Sequence, residues 1–275
     1  MVERGIKQNL KKSMLFVSMI IVLLSIFLGV IVFIDATNFD NPRNDSCLSF
    51  TFDDRLESHY DNVYPLLKER NFGGTFFVIM NLTQFEDRDL MSIEEMMEMQ
   101  DNGFEIGSHT LTHQKSTELE AKELEKELKE SKRILEENGF VVDSFSFPYR
   151  NYDDDILEQA NMHYNIVRDN YNIDTGGFLH NSEGVFSTTN IDELCEKIAD
   201  AQKKNKWLIL VLHGINNNPG YWDLSIEDFN KLLDCAEDSG IKVKSLRGCE
   251  EDIGMFGTLK FSFMKKFIKP KEIGF

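Results

Sequence analysis

Two hydrophobic patterns divide this chain. From Met14 to Ile34 no charged residue occurs, whereas from Cys47 onward short apolar runs alternate with amphipathic stretches. The short runs predict strands at Cys47–Phe52, Gly74–Ile79, Phe104–Ile106, Ser144–Phe147, Tyr164–Val167, Trp207–Leu212 and Ile241–Ser245. Helices are expected between them. Thr117–Asn138 is opened by a Thr117/Glu120 capping box and stopped by Gly139, Ile226–Asp238 follows a Ser225 cap, and Asp192–Lys204 is a third. This alternation is the signature of an α/β fold with mostly parallel strands. About seven strand–helix units predict a closed or nearly closed barrel rather than an open sheet. The chain then divides into a basic tail (1–12), an apolar span (13–34), a polar linker (35–46), the α/β domain (47–248) and a C-terminal tail (249–275).

The apolar span is long enough to cross a bilayer as a helix rising about 1.5 Å per residue. Arg4, Lys7, Lys11 and Lys12 precede it, and Asp35, Asp40 and Asp45 follow. The positive-inside rule leaves such an N-terminus in the cytoplasm and the rest of the chain outside. A cleaved signal peptide fits less well, because its apolar region is normally shorter and ends in a small-x-small site, which Ile34-Asp35-Ala36 does not offer. The expectation is a single-pass protein of the cell membrane with its α/β domain facing outside. In the tail, Phe256, Leu259, Phe263 and Phe267 lie among lysines, and packing on the barrel or disorder is favoured over lying on a membrane surface.

The residues able to do chemistry sit where predicted strands end. Asp53-Asp54, His109, Pro148-Tyr149, Arg168 and His213 all lie just past strand C-termini, the face of a βα barrel where active sites form. One carboxylate with two imidazoles suits a zinc-like ion that keeps an open coordination position. Adjacent residues of a strand point in different directions, so one aspartate can bind metal while its neighbour faces the substrate. An Asp pair alone reads more simply as a helix cap near Glu57 or Ser58. His109 and His113, four apart and on one face of a helical turn, make the set a metal-site pattern. With the second aspartate as base and His213 as acid, the pattern predicts a metal-dependent hydrolase.

Composition narrows the partners. The formal charge of −17 argues against nucleic acid, since phosphate binding needs basic patches. The four cysteines, Cys47, Cys195, Cys235 and Cys249, contain no CxxC pair, so a cysteine-based zinc site is not expected. In an oxidising compartment they could pair in any of three ways. His59, His163 and His180 read as surface or loop histidines. Tyr221 and Trp222, in a loop rich in Gly, Pro and Asn after His213, read equally as sugar-stacking aromatics or as core. Nothing in the pattern specifies an oligomeric state.

Four motifs carry a family resemblance. Thr51-Phe52-Asp53-Asp54, the block from Ser108-His109 to His113, Phe147-Pro148-Tyr149 and Leu210-Val211-Leu212-His213 stand in a familiar order and spacing. Over roughly Cys47–Leu246 the chain resembles the polysaccharide deacetylase family, the NodB-homology domain of carbohydrate esterase family 4. The resemblance implies a distorted (β/α) barrel and metal-dependent removal of acetyl groups from a glycan. By position, Asp53 resembles the general base, His213 the general acid, and Asp54, His109 and His113 the metal ligands. Tyr149 resembles the residue whose backbone N–H helps hold the oxyanion. Pro148 and Tyr149, with Trp222, are the expected substrate contacts. Zinc is the expected ion, although cobalt, nickel and manganese also suit a His₂Asp set.

Two departures stand out. The family often places an arginine shortly before its Pro-Tyr, pairing with the catalytic aspartate, but here Ser146 is near that place. Arg168 is the expected substitute, ahead of Arg150 and Arg55, with a surface ion pair as its simpler reading. Arg55 also stands where a glycine is usual. The expectation is a hydrolase acting on N-acetylated cell-surface polysaccharide, with Asp53 as base, a metal-activated water and His213 as acid. The rivals are an O-acetyl esterase of the same mechanism and a catalytically weak glycan-binding barrel.

Overall fold

Six of the expected strands form one parallel array. They are β1 (Cys47–Phe52), β2 (Thr75–Val78), β3 (Glu105–Ser108), β4 (Ser144–Ser146), β5 (Ile166–Arg168) and β7 (Trp207–Leu212). The computed structural model describes residues 46–254 apart from 169–172, 175–178 and 181. The apolar span, its basic tail, most of the linker and the tail beyond 254 therefore lie outside the described residues, as does the side chain of His180. Among the described residues, no helix is long and apolar enough to cross a membrane.

The seventh parallel strand is one that periodicity missed. Ser182–Gly184, here β6, has no apolar run, yet it pairs with β7 and gives the order β6-β7-β1-β2-β3-β4-β5. The expected strand Ile241–Ser245 shrinks to Lys242–Val243. It pairs only with Cys47 and Leu48, because β2 takes the other end of β1 at Thr51 and Phe52. Beyond β5 the chain turns back through antiparallel Ile173–Asp174 and Leu179–His180. The parallel strands thus make a half-barrel rather than a closed ring.

Alternation along the strands sorts two cores. Phe50, Phe52, Phe76 and Val78 face the helices, packed with Leu67, Leu124 and Phe229. Cys47, Phe77, Ile166, Trp207 and Ile209 fill the inner face with Leu246 and Cys249. Gly107 belongs to this inner set: a Cβ there would lie 2.7 Å from the Phe77 ring. The same parity carries Asp53 to the inner rim above Cys47, and Arg168 above Ile166. Of the candidate positions, Arg168 is the last residue of its strand rather than beyond it.

The helices begin where their apolar stripes begin. Ala121–Glu137 is capped by Glu120 in a box with Glu123, one turn later than expected. Leu124, Leu128 and Leu135 set that phase, while the Thr117 hydroxyl instead reaches Asn151 Oδ1 at 2.7 Å. Ile226–Ser239 does carry the Ser225 cap, with Asp228 N–H donating to its hydroxyl at 3.0 Å. Cys235 on that helix is bonded to Cys195 on Ile191–Lys203. A bridge across this separation of 40 residues removes on the order of 4 kcal/mol of unfolded-chain entropy. The other pair, Cys47–Cys249, ties β1 to the helix Leu246–Gly254, so the buried Cys249 stands inside a helix that crosses the expected tail boundary.

Candidate metal centre and active site

Three loops at the strand ends build the centre, each through left-handed backbone. Asp54, Arg55, Thr110, His113, Tyr149 and Arg150 have φ between +55° and +80°. Such conformations cost about 1 kcal/mol or more for non-glycine residues and collect at functional sites. His109 leaves β3, and the turn to His113 is locked by Glu127, which accepts from the N–H groups of Leu111 and Thr112 at 2.9 Å and from the Thr112 hydroxyl at 2.6 Å. Glu127 was missed in the sequence, yet its place among Leu124, Leu128 and Ser131 on a buried stripe was a readable signal.

Asp54, His109 and His113 converge, with donor atoms all within 4.8 Å of one another. Asp54 Oδ1 lies 3.6 Å from His109 Nε2 and 3.2 Å from His113 Nε2. The edges of a tetrahedron with bonds of about 2.0–2.1 Å are about 3.3 Å, so the spacing fits a zinc-sized ion. His109 sharpens the test. Its Nδ1 is 2.8 Å from the Ser146 carbonyl, which can only accept, so the proton sits on Nδ1. Burial holds this imidazole at about 4, hence neutral at pH 7, and its bare Nε2 faces a carboxylate oxygen. Two acceptors turned toward each other suit a cation between them, with Ser146 as the outer partner that fixes the ring. Asp54 itself is held below the ordinary carboxylate range: burial opposes its charge, but the His113 hydrogen bond and the nearby His213 and His109 prevail.

Asp53 points into the half-barrel and meets Arg168. One guanidinium nitrogen lies 2.8 and 2.6 Å from the two Asp53 oxygens and also bonds the Ser146 hydroxyl. Arg168 is fully buried over the Phe77 ring, at 4.9 Å, which sets aside the surface ion pair. The guanidinium thus reaches the aspartate from β5, and the serine at the motif position supports it. Burial works against the Asp53 charge, but Arg168, then His109 and His213, hold its carboxyl below the ordinary range. Arg55 turns away from this pair and donates to the carbonyls of Met91 at 2.8 Å and Ile79 at 3.4 Å.

His213 leaves β7 beside Asp53, since Phe52 pairs with Leu212 and Asp53 N–H donates to the Leu212 carbonyl at 3.0 Å. Base and acid candidates are therefore neighbours by register. His59 corrects an expectation: it is fully buried at the back of this loop, not on the surface, because Phe52 and Phe76 enclose its ring. His163 is partly exposed and pairs with Glu125 at 3.0 Å, as a surface histidine does. Among substrate candidates, Tyr149 and Trp222 are 59% and 53% exposed, so neither is core. Tyr149 packs on His113 at 4.7 Å with its hydroxyl 3.2 Å from Nδ1, and Trp222 lies 5.7 Å from His213. An open depression of about 240 Å³ runs from His113 and Tyr149 to Lys115 and Glu118. Pro148 is buried and shapes the turn instead of lining the rim.

Burial of His59 and His109 has a measurable consequence. Both fall from near 6.5 to about 4, so between those values the unfolded chain binds protons that the folded chain refuses. Their contribution is complete above pH 6.5 and is lost as pH falls toward 4, each on the order of 3 kcal/mol. Urea midpoints of metal-free protein should drop steadily between pH 7.5 and 4.5. A flat profile there would contradict the buried, neutral state.

A parallel α/β half-barrel with an Asp-His-His cluster and a charged Asp–Arg pair at its rim is the arrangement of a NodB-type barrel. The family profile described as Polysaccharide deacetylase matches residues 40–165. The chain is 28% identical over 123 residues to the putative polysaccharide deacetylase YxkH of Bacillus subtilis, covering 44% of this chain and 43% of that one. It is 30% identical over 129 residues to a poly-beta-1,6-N-acetyl-D-glucosamine N-deacetylase of Staphylococcus aureus, covering 41% and 44%. It therefore spans less than half the length of these curated relatives. The Xyl-CE4 domain of a multidomain xylanase from the hindgut metagenome of Trinervitermes trinervoides shares the fold, with a TM-score of 0.53 at 17% identity over 76% of this chain and 91% of that one. Residues 40–165 are thus similar to the polysaccharide deacetylase family.

Proposed function

We propose that this protein is a metal-dependent hydrolase that removes acetyl groups from an N-acetylated cell-surface polysaccharide. The observation that carries the reading is the convergence of Asp54, His109 and His113 beside the buried Asp53–Arg168 pair. A divalent cation held by that trio, zinc before cobalt, nickel or manganese, supplies a Lewis acid for the acetyl carbonyl and lowers the pKa of water. Asp53 accepts the proton of the attacking water, and Arg168 keeps its carboxyl ionised and in place. The backbone N–H of Tyr149 stabilises the oxyanion as charge develops. His213 protonates the departing amine as the general acid.

The exposed rings of Tyr149 and Trp222 stand beside His113 and His213, where they can stack on sugar faces. Location follows the same reading. Two disulfides suit an oxidising compartment, and the uncharged N-terminal run with its basic flank suits an anchor that leaves the domain outside. The test is acetate release by the purified chain from N-acetylglucosamine polymers of β-1,4 and β-1,6 linkage and from an O-acetylated xylan. Protease digestion of intact cells reports the side of the membrane. Chelation should cut turnover to background and added zinc should restore it. Binding of a glycan without acetate release from any would replace the enzyme by a binding barrel.

A further inference from the structure

We infer that His59 is a positioning residue for His213, acting through the His213 backbone carbonyl; this rests on the deacetylase reading above. His213 itself is sparsely tethered. Its Nδ1 is buried and meets no hydrogen-bond partner among the described residues, and β7 pairing with β1 ends one residue earlier, at Leu212. The orientation of its ring therefore depends on how its main chain is held.

His59 holds it from behind. Its Nε2 lies 3.0 Å from the His213 carbonyl, which can only accept, so Nε2 carries the proton and Nδ1 is bare. That Nδ1 is buried without a hydrogen-bond partner among the described residues, so among them the imidazole makes one hydrogen bond, the one to His213. The ring is fixed against Phe52 at 5.6 Å and Phe76 at 5.8 Å. Three residues on, in the same π-helical turn His59–Val63, Asn62 donates to the Ile215 carbonyl at 2.7 Å. From the other side Gly214 N–H donates to Asp223 Oδ1 at 3.1 Å, a close approach at which a Cβ would stand 2.5 Å from that oxygen and force it to shift. The His213–Gly214 peptide is thus held at both its carbonyl and its N–H, and the next carbonyl but one, that of Ile215, is held as well.

An imidazole is a poor choice for mere filling. A buried nitrogen without a partner costs about 1–3 kcal/mol, which phenylalanine or leucine in this aromatic nest would avoid. What the apolar residues lack is the N–H aimed at the carbonyl of the general acid.

The test compares two leaving groups. The full chain is assayed on an N-acetylglucosamine oligosaccharide, whose amine must be protonated to depart, and on 4-nitrophenyl acetate, whose nitrophenolate departs unaided. His59→Phe should lose about 10- to 100-fold in kcat on the oligosaccharide, with KM unchanged and the ester rate nearly kept. His59→Gln, whose amide N–H can reach the same carbonyl, should recover most of it. In a His213→Ala background His59→Phe should add no further loss. Equal losses on both substrates, a loss confined to KM, or no loss would overturn the inference. Should His59→Phe not fold, His59→Met against His59→Gln decides the same question. Wild type that releases no acetate from the oligosaccharide would instead sink the deacetylase reading, and the inference with it.

Discussion

Asp53→Asn is expected to remove nearly all acetate release, on the order of 10²- to 10⁴-fold in kcat, while zinc content stays near wild type. Asparagine keeps the shape and can still accept from Arg168, but it cannot take a proton from water. The neighbouring Asp54→Asn should do the reverse and lose the metal first, because a neutral amide is a poorer ligand than the carboxylate 3.2 Å from His113 Nε2. Metal analysis of both variants beside their rates separates the roles. Loss of zinc in Asp53→Asn, or retained turnover, would show that the two aspartates have been assigned the wrong way round.

The second large effect belongs to Arg168. Its guanidinium is fully buried and meets both Asp53 oxygens. Removing one member of such a pair leaves the other charge buried and unpaired, so Arg168→Met should destabilise the fold by about 3–5 kcal/mol. The sign of the pH effect follows from the opposing influences on Asp53. Burial raises its pKa and Arg168 is the main influence lowering it, so without the guanidinium the carboxyl titrates higher. The acid limb of kcat/KM against pH should therefore move upward, because Asp53 must be ionised to act as base. A variant with Ser146→Arg and Arg168→Ser would return the guanidinium to the usual motif position. An unshifted acid limb in Arg168→Met would mean that the pair is structural only.

Much of the site was legible along the chain because its parts are local. Asp53 and Asp54 are adjacent, His109 and His113 are four apart, and each set follows an apolar run that ends at the same barrel face. Six strands were legible for the same reason, since a buried strand writes itself as contiguous apolar residues. Ser182–Gly184 was not: its place in the sheet comes from pairing with β7, and its own side chains carry no pattern. The Thr117/Glu120 box fits the sequence rule but lost to the phase of the leucine stripe, which starts the helix at Ala121.

The sequence by itself determined the strand-and-helix alternation, the motif residues and the ends of the strands on which they sit, because these follow from periods of two and 3.6 within short segments. Only the tertiary structure decided which arginine meets Asp53, what His59 does, and how the four cysteines pair. Arg168 and Asp53 are 115 residues apart, His59 and His213 154, and Cys47 and Cys249 202. Their meetings depend on strand register, on the inward parity of alternate side chains, and on a long side chain spanning the half-barrel. No local spacing records those quantities, and burial converts each meeting into a strong interaction.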